Sequence, residues 1–522
     1  MAGIRFERER LLELGSSMGL RWLATDGRGG HASSTVPGCN TDRRDGLLVA
    51  PFRGNARPHV FLSRFEEELC GGGRTFPLSM ARYPGTLHPT GHQYLDRFEA
   101  GPPPRTTYRI GDVTVVREVR MVRGASTVLV RWAVEGSDAP EELRLRPFLP
   151  CREAGALTRE NVYLDARTRA IPGGFAARPY PSLPEISITV SPAPRFLPDP
   201  RWYRQVEFED GGREDQFTPG VFSVPVAAGG AIVAATSIEG PVEDPAALWR
   251  REARRRRTEE ADDFLATVDG RPVVLAGTDR EALIALPGLT LARGKVKECG
   301  EILDSYVSTE ATLWWIRAVG LYARAGRSAK RFAPAVLEAA ANLPPAGDLE
   351  EAALGFEARA VAARLAKRKR QPDRSPFPVP EGPVTAGMVI AASLESSPLS
   401  RKERAGIVDS ARAELLTPRG LRSLSPRDRA YRPDAADSGA AHPWLLGFYA
   451  EALVRAKGRT AAVRAEIRAL VEGFAPARSG RCLGHVSERF DGDSPHHPAG
   501  AASHAPAAGE LLRALRLAGA AP

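Results

Sequence analysis

Two periods of hydrophobic spacing divide the chain. Up to about residue 245, apolar residues alternate with polar ones or gather in short β-branched runs, as in Asp112–Arg120 (DVTVVREVR), Ser126–Val134 (STVLVRWAV), Glu142–Arg146 and Glu185–Val190. Gly and Pro punctuate this half densely, in GNARP, GGG, GPPP, IPGG and SPAP. The pattern predicts strands of a large antiparallel β-sandwich. After Pro245 the apolar spacing lengthens to three and four residues. It predicts helices over Ala246–Phe264, Arg280–Gly294, Ala311–Ala325, Leu349–Arg370, Arg401–Leu416, Pro443–Ala456, Thr460–Phe474 and Ala507–Leu517. Ser400 and Glu403 form an S-x-x-E capping box at the start of one of them. The even number of helices and their short connections suit a barrel of helix hairpins. The expected class is therefore α+β multidomain: a β-sandwich over residues 1–245, a linker helix over 246–265 and a helical domain over 266–522. The proline-rich segment Gln371–Val384 interrupts the helices, either as a long loop or as the scar of a deletion.

Composition narrows the class further. A chain of 522 residues exceeds one hydrophobic core, and 43% hydrophobic with 26% charged residues excludes a disordered or fibrous protein. No window nears about 18 uninterrupted apolar residues. The opening MAGIRFERERLLEL is charged where a secretory signal is apolar, so a cytoplasmic protein with no membrane partner is expected. Cys39, Cys70, Cys151, Cys299 and Cys482 are odd in number and scattered, which predicts free thiols. The net charge of +9 raises the question of nucleic acid. Nearly all of it is arginine, however, and the densest run, Arg250–Arg257, is followed by Glu259, Glu260, Asp262 and Asp263. At helical spacing these acids pair with the arginines, so a solvated helix is expected and no nucleic-acid site. His88, His92, His496 and His497 lack partners at metal-ligand spacing, and no metal or cofactor is expected.

The segment Trp22–Ala50, WLATDGRGGHASSTVPGCNTDRRDGLLVA, resembles the start of bacterial and archaeal glycogen debranching enzymes, which reads W-L-x-T-N-G-x-G-G-Y-A-S-x-T-V and then N-T-R-x-Y-H-G-L-L-V-A. The resemblance continues through Arg82–Phe98, Leu145–Pro150 and Trp202–Phe222, where EDQFTPGVF is similar to E-D-L-x-x-P-G-x-F. In the second half Gly277–Leu289 (GTDREALIALPGL) resembles W-G-R-D-T-M-I-A-L-P-G-L, and Tyr306–Trp315 (YVSTEATLWW) resembles Y-N-T-V-D-A-T-L-W. Leu415–Pro426, Pro443–Gly447 (PWLLG) and Val486–His496 (VSERFDGDSPH) follow in the family's order. The resemblance implies an N-terminal β-sandwich followed by an (α/α)6 barrel of glucoamylase type. In this family the barrel is an amylo-α-1,6-glucosidase that removes the glucose stub at a glycogen branch point.

Hydrolysis with inversion needs two carboxyl groups about 6.5–9.5 Å apart, one protonating the leaving oxygen and one activating water. The family carries its acid in a T-W-M-D-A motif between the segments matching Tyr306–Trp315 and Leu415–Pro426. Here no Trp occurs between Trp315 and Trp444, and Met388 is the only Met. The motif is absent and the barrel is expected to be incomplete. Asp348, Glu350, Glu351, Glu357 and Asp373, in the Gly347–Glu381 region, are the available candidates to replace that acid. Glu488 is the candidate base, with Asp491 and Asp493 as alternatives; the same acidic stretch also fits a solvated turn. Arg280 and Glu281 stand at the family's R-D. Arg280 either forks onto sugar hydroxyls or a carboxylate, or caps the following helix. Glu310 replaces an Asp and is a candidate for a sugar hydroxyl. Trp314, Trp444 and His496 complete the candidate substrate contacts, although at least one of Trp314 and Trp315 belongs to a core. His442 and Pro506 stand where the family has Trp. The expected partner is glycogen or another α-glucan, and two functions stay open: a weakened amylo-α-1,6-glucosidase, or a glucan-binding or partner-binding pseudoenzyme.

Overall fold

Alternating burial is visible directly in the strands of the computed structural model, which describes residues 4–136, 142–226, 229–254, 260–268, 270–307, 309–367 and 382–520. Along Val113–Met121 inward and outward positions alternate about a buried centre. The chain forms two units, Met1–Thr258 and Glu259–Pro522.

The first unit is built from antiparallel sheets. The largest has nine strands, in the order Ile4–Glu7, Leu95–Ala100, Arg105–Ile110, Val113–Met121, Thr127–Glu135, Ala231–Ser237, Ile186–Ser191, Gly174–Ala177 and Arg169–Ile171. A five-stranded sheet runs Arg195–Glu207, Arg213–Pro225, Glu142–Phe148, Arg64–Gly71, Arg74–Pro77, and a second one joins Arg152–Glu153 to Arg21–Thr25. The nine-stranded sheet meets the first of these through aromatic rings. Trp132 lies edge-on to Phe65 at 5.7 Å, and Phe175 packs on Phe196 and Phe222 at 4.6 and 5.5 Å. A buried ion pair crosses the same contact, Arg117 donating to Glu67 at 2.7 Å. The Ser79 hydroxyl also donates to Glu67, as a buried charge requires.

Pro245–Ala253 is a helix capped by the Asp244 carboxylate, and it belongs to this unit, since Trp249 is buried with Val122, Leu129 and Val233. The single linker helix expected over 246–265 is thus interrupted: Glu260–Asp263 is a separate turn of helix. Arg255–Arg257 and Glu259, on which much of the expected arginine–acid pairing falls, lie outside the described residues; among the described residues Asp262 pairs with Arg293 and Lys295.

The second unit contains ten longer helices among the described residues: α1 (Asp279–Leu289), α2 (Val296–Asp304), α3 (Thr312–Arg324), α4 (Ala333–Ala341), α5 (Leu349–Leu365), α6 (Ala386–Ser393), α7 (Arg401–Glu414), α8 (Leu445–Lys457), α9 (Ala461–Glu472) and α10 (Ala505–Leu517). Six of them close a ring. α1 packs on α3, α3 on α5, α5 on α6, α6 on α8, α8 on α10, and α10 returns to α1. The remaining four lie outside it, α2 on α3, α4 on α5, α7 on α6 and α8, and α9 on α8 and α10. Between α5 and α6 the described residues include no outer helix; residues 368–381 of the proline-rich segment lie outside the described residues.

Matching positions along the ring helices show that all six point the same way. Near their starts, Arg280 of α1 reaches Trp314 of α3, Gly387 of α6 sits beside the Glu350 amide of α5, and Gly447 of α8 sits beside Glu510 of α10. Polar caps fix where several begin: Thr278, Asp348 and Thr385 accept the third amide of α1, α5 and α6, and Ser400 with Glu403 forms a complete capping box on α7. The seam is made of backbone, where Gly288 of α1 faces Gly509 of α10 so closely that a Cβ on Gly288 would stand 1.7 Å from the Gly509 oxygen. A small antiparallel sheet of Leu416–Thr417, Gly420–Arg422, Ala441–His442, Arg489–Phe490 and Pro498–Ala499 completes the unit. All five cysteines are buried free thiols, and no described helix is long and apolar enough to cross a membrane.

Two substitutions test this packing. Gly288→Ala improves helix propensity by about 1 kcal/mol, yet its methyl group meets backbone that cannot turn aside. It should lower stability by about 3 kcal/mol, the upper end of overpacking costs, read as a lower Tm or loss of soluble protein. Asp26, at the position where the family motif carries Asn, is fully buried. Its Oδ1 accepts the amides of Arg28 and Gly30, while Oδ2 has no partner. Burial pushes its carboxyl up to about 6 from an ordinary 3.8, against the pull of those two amides. Between those values the folded chain holds a proton that the unfolded chain releases, so stability falls as pH rises through that window. Asp26→Asn should raise stability at pH 7.5 by up to about 3 kcal/mol, at 1.36 kcal/mol per unit, read as a higher Tm, and change it little at pH 4.

Candidate functional site

The common direction of the ring helices puts six N-termini and their preceding loops at one mouth. A cleft of about 1200 Å³ opens there, lined among others by Arg280, Glu310, Trp314, Glu350, Glu351 and Phe356. It contains three of the candidate substrate contacts, Arg280, Glu310 and Trp314, and two of the candidate carboxyl groups, Glu350 and Glu351.

Thr278 starts α1 by accepting the Glu281 amide, and the Glu281 carboxylate turns back to the Gly277 amide at 2.8 Å. Glu281 therefore serves the helix start. The His504 imidazole, 3.7 Å away, and then the surrounding amides hold its carboxyl below the usual range. Both His504 ring nitrogens are buried without a hydrogen-bond partner. Arg280 does not cap the helix. It donates to the Glu350 carboxylate at 2.8 Å, and its guanidinium lies over the rings of Trp314 and Trp444, 5.4 and 5.6 Å from their centroids. The two indoles are steadied from below by Phe448, edge-on to each at 5.7 and 5.6 Å. Of the paired tryptophans, Trp315 is the core residue, donating its ring N–H to the Leu303 carbonyl, while Trp314 reaches the cleft wall. Glu310 is exposed on the rim, and beside it the Thr309 hydroxyl ties to Asp279 of α1 at 2.7 Å.

Glu488 immediately precedes the Arg489–Phe490 strand of the small sheet and is not among the residues that line the cleft. Its backbone amide donates to the Ala501 carbonyl, and its carboxylate accepts the Ala501 amide at 2.8 Å. Burial lowers the pKa of His442, and Glu488 is near enough to oppose that shift. Ala441, three residues before Trp444, pairs with Phe490, two residues after Glu488, which brings the Glu488 segment toward the start of α8, where Arg280 lies over Trp444. The residues beyond it are taken by the loop's own bonding. The Asp491 carbonyl pairs with the His496 ring, and Asp493 accepts from Tyr431 and Arg422 at 2.8 and 3.3 Å.

The remaining carboxyl groups of the α5 region are also engaged. Asp348 caps α5, Glu350 holds Arg280, and Glu351 accepts the Gly347 amide. Although burial opposes its charge, Arg324 and Ser396 hold the Glu357 carboxyl below its ordinary value. Asp373 lies outside the described residues. Sequence alone offered no sign that Glu350 rather than its neighbours would pair with Arg280, since a helix's first turn commonly carries acids.

Below the mouth, the ring interior holds charge. Arg317 is 2% exposed, lies over Phe448 and Trp314 at 4.7 and 5.4 Å, and two of its nitrogens have no hydrogen-bond partner. Arg513 covers the other side of Phe448 at 4.9 Å and donates to Glu510 and Glu451. Burial works against the Glu451 charge, but Arg513, Arg455 and Arg317 bring its pKa down to about 2. Among the described residues, no cluster of three or more His, Cys, Asp or Glu side chains is arranged to hold a metal.

Comparison with known proteins bears on both units. The family model described as glycogen debranching enzyme N terminal matches residues 21–233, and the model described as amylo-alpha-1,6-glucosidase matches residues 381–513. Among solved structures, a bacterial glucoamylase complexed with acarbose superimposes with a TM-score of 0.50 at 8% identity, covering 96% of this chain and 95% of that one. At that identity the likeness is one of fold. An α-mannosidase from Bacteroides thetaiotaomicron covers 95% of this chain and 81% of its own at 10% identity, but its TM-score of 0.31 carries no argument. No curated protein matches the chain.

The buried charges make a direct prediction. Arg513→Met should cost about 3–5 kcal/mol, because it strands Glu510 without its cation and leaves Glu451 with Arg455 as its one remaining ion-pair partner among the described residues. Adding Glu510→Gln should recover part of that loss in thermal melts, whereas simple loss of packing would leave the double variant no more stable than the single one.

Proposed function

The chain belongs to the glycogen debranching enzyme family, and from that premise we propose that it binds α-glucan in the cleft of its second unit while hydrolysing α-1,6 bonds at no more than a trace rate. We read the first unit as the family's β-sandwich. We read the ring as the inner layer of an (α/α)6 barrel, with no outer helix among the described residues between α5 and α6, where the resemblance places the family's acid. The free, buried cysteines fit a reducing compartment, and we place the protein in the cytoplasm.

One observation carries this reading: in the α5 region, where the resemblance places the family's acid, each described candidate carboxylate already has a structural partner. Asp348 and Glu351 serve the start of α5, Glu350 is paired with Arg280, and Glu357 with Arg324. A general acid must hold its proton until the leaving oxygen takes it, which calls for apolar surroundings or a like charge. Cations and amide donors do the opposite. Glu488 remains the best candidate to activate water, but a base without an acid leaves an alkoxide to depart unassisted. General acid–base assistance contributes about 10²–10⁴-fold, so its loss costs roughly 3–5 kcal/mol of barrier. What the cleft keeps is suited to binding: its volume exceeds that of ordinary small-ligand pockets, and its indole faces and hydrogen-bonding rim suit sugar rings.

The assay is glucose release from phosphorylase limit dextrin, beside Glu488→Gln, together with retardation of the protein by glycogen in affinity gels. Retardation with only trace glucose release is expected. Turnover near one per second or faster that vanishes in Glu488→Gln would establish a working enzyme, and no retardation would remove the glucan.

A further inference from the structure

We propose that the glucan cleft is latched from within: Glu350 holds the Arg280 guanidinium across the indole faces of Trp314 and Trp444, and a glucosyl ring reaches those faces only when that ion pair opens. The inference rests on the glucan-binding reading and adds a residue, Glu350, that sets affinity by positioning another side chain.

The geometry carries it. Arg280 leaves the first turn of α1, and Glu350 leaves the first turn of α5, so their 2.8 Å contact bridges two ring helices across the mouth, with α3 between them. The same guanidinium covers both Trp314 and Trp444 at 5.4 and 5.6 Å. A planar cation on an indole occupies the face that a sugar ring would use, so cation and sugar exclude one another there. The indoles cannot turn away, since Phe448 packs edge-on against both. Arg280 can. Its side chain is 45% exposed and its one ion-pair partner among the described residues is Glu350, so solvent receives it when the pair breaks. This makes a neutral ligand compete with an ion pair, which gives its binding an unusual signature. Affinity for an uncharged glucan becomes dependent on salt, because screening weakens a partly exposed pair.

Glu350→Gln removes the anchor and leaves Arg280 in place as a donor to sugar hydroxyls. Maltohexaose binding, followed by indole fluorescence, should tighten about three- to ten-fold in this variant, the size expected from releasing one such pair and its ring contacts. Wild-type affinity should rise between 0.05 and 0.5 M KCl, and the variant's should stay flat. Acrylamide quenching without ligand gives a second reading: the indoles should become more accessible in Glu350→Gln, and in wild type at high salt. Matching thermal melts establish that the variant is folded, and wild type in salt needs no variant at all. Unchanged quenching with salt-independent binding would overturn the latch. Increased quenching with no maltohexaose bound by either protein would uphold the latch and overturn the glucan.

Discussion

Closure of the helical ring depends on one backbone contact. Gly288 and Gly509 let the first and last ring helices touch without side chains between them, and a single methyl group has no room there. Glycine inside a helix costs about 1 kcal/mol relative to alanine, so this seam is retained against local preference. What it secures is the common direction of six helices. With the seam closed, Arg280, Trp314, Glu350 and Trp444 arrive at one mouth from four different helix starts. Shift α1 against α10 and those contacts are lost together.

A ring closed this tightly leaves its axis to be filled, and the chain fills it with ions rather than hydrocarbon. Arg317 and Arg513 lie on two sides of Phe448, with Glu451 and Glu510 taking the charge. Buried ion pairs seldom add stability over apolar residues of equal volume, yet breaking one is costly. The network thus acts as a constraint on where α3, α8 and α10 sit. Phe448 links it to the mouth, because the same ring that is flanked by the two arginines supports both indoles from below. Position at the cleft is inherited from charge in the core.

How much of this could be read from sequence follows the same physics. Helices with polar starts and one apolar stripe were legible: Ser400 and Glu403 announce α7, and the spacing from Thr312, Leu445 and Thr460 is regular. α6 was not, because AGMVIAAS is apolar all round and buried on every side. α4, APAVLEAAA, hides in alanine, and α2 is only nine residues long. The small sheet escaped because its strands of two or three residues come from an 84-residue stretch and no local alternation marks them. At the site, the family-like motifs pointed to Arg280, Trp314 and Trp444, and these meet. Glu281 and His496 were read as facing sugar and Asp493 as an alternative base, and the structure shows them bonded to a helix start or a loop. Residue type and spacing do not reveal which acid is already satisfied; only the partner does.

The retained cleft and the missing acid are therefore separable. α5 and α6 pack directly on one another, with Gly387 of α6 against the first turn of α5, so the ring closes through this contact whatever the connection between them carries. An acid delivered by such a connection is an addition to the mouth and no part of its frame. Losing it removes the proton donor while the indoles, their Phe448 support and the Arg280–Glu350 pair keep their places. Binding groups in this unit are built into the ring helices and their caps, whereas the family's acid belongs to a segment the ring does not need. On the proposed reading, that division lets a chain of this family lose the acid while keeping the cleft.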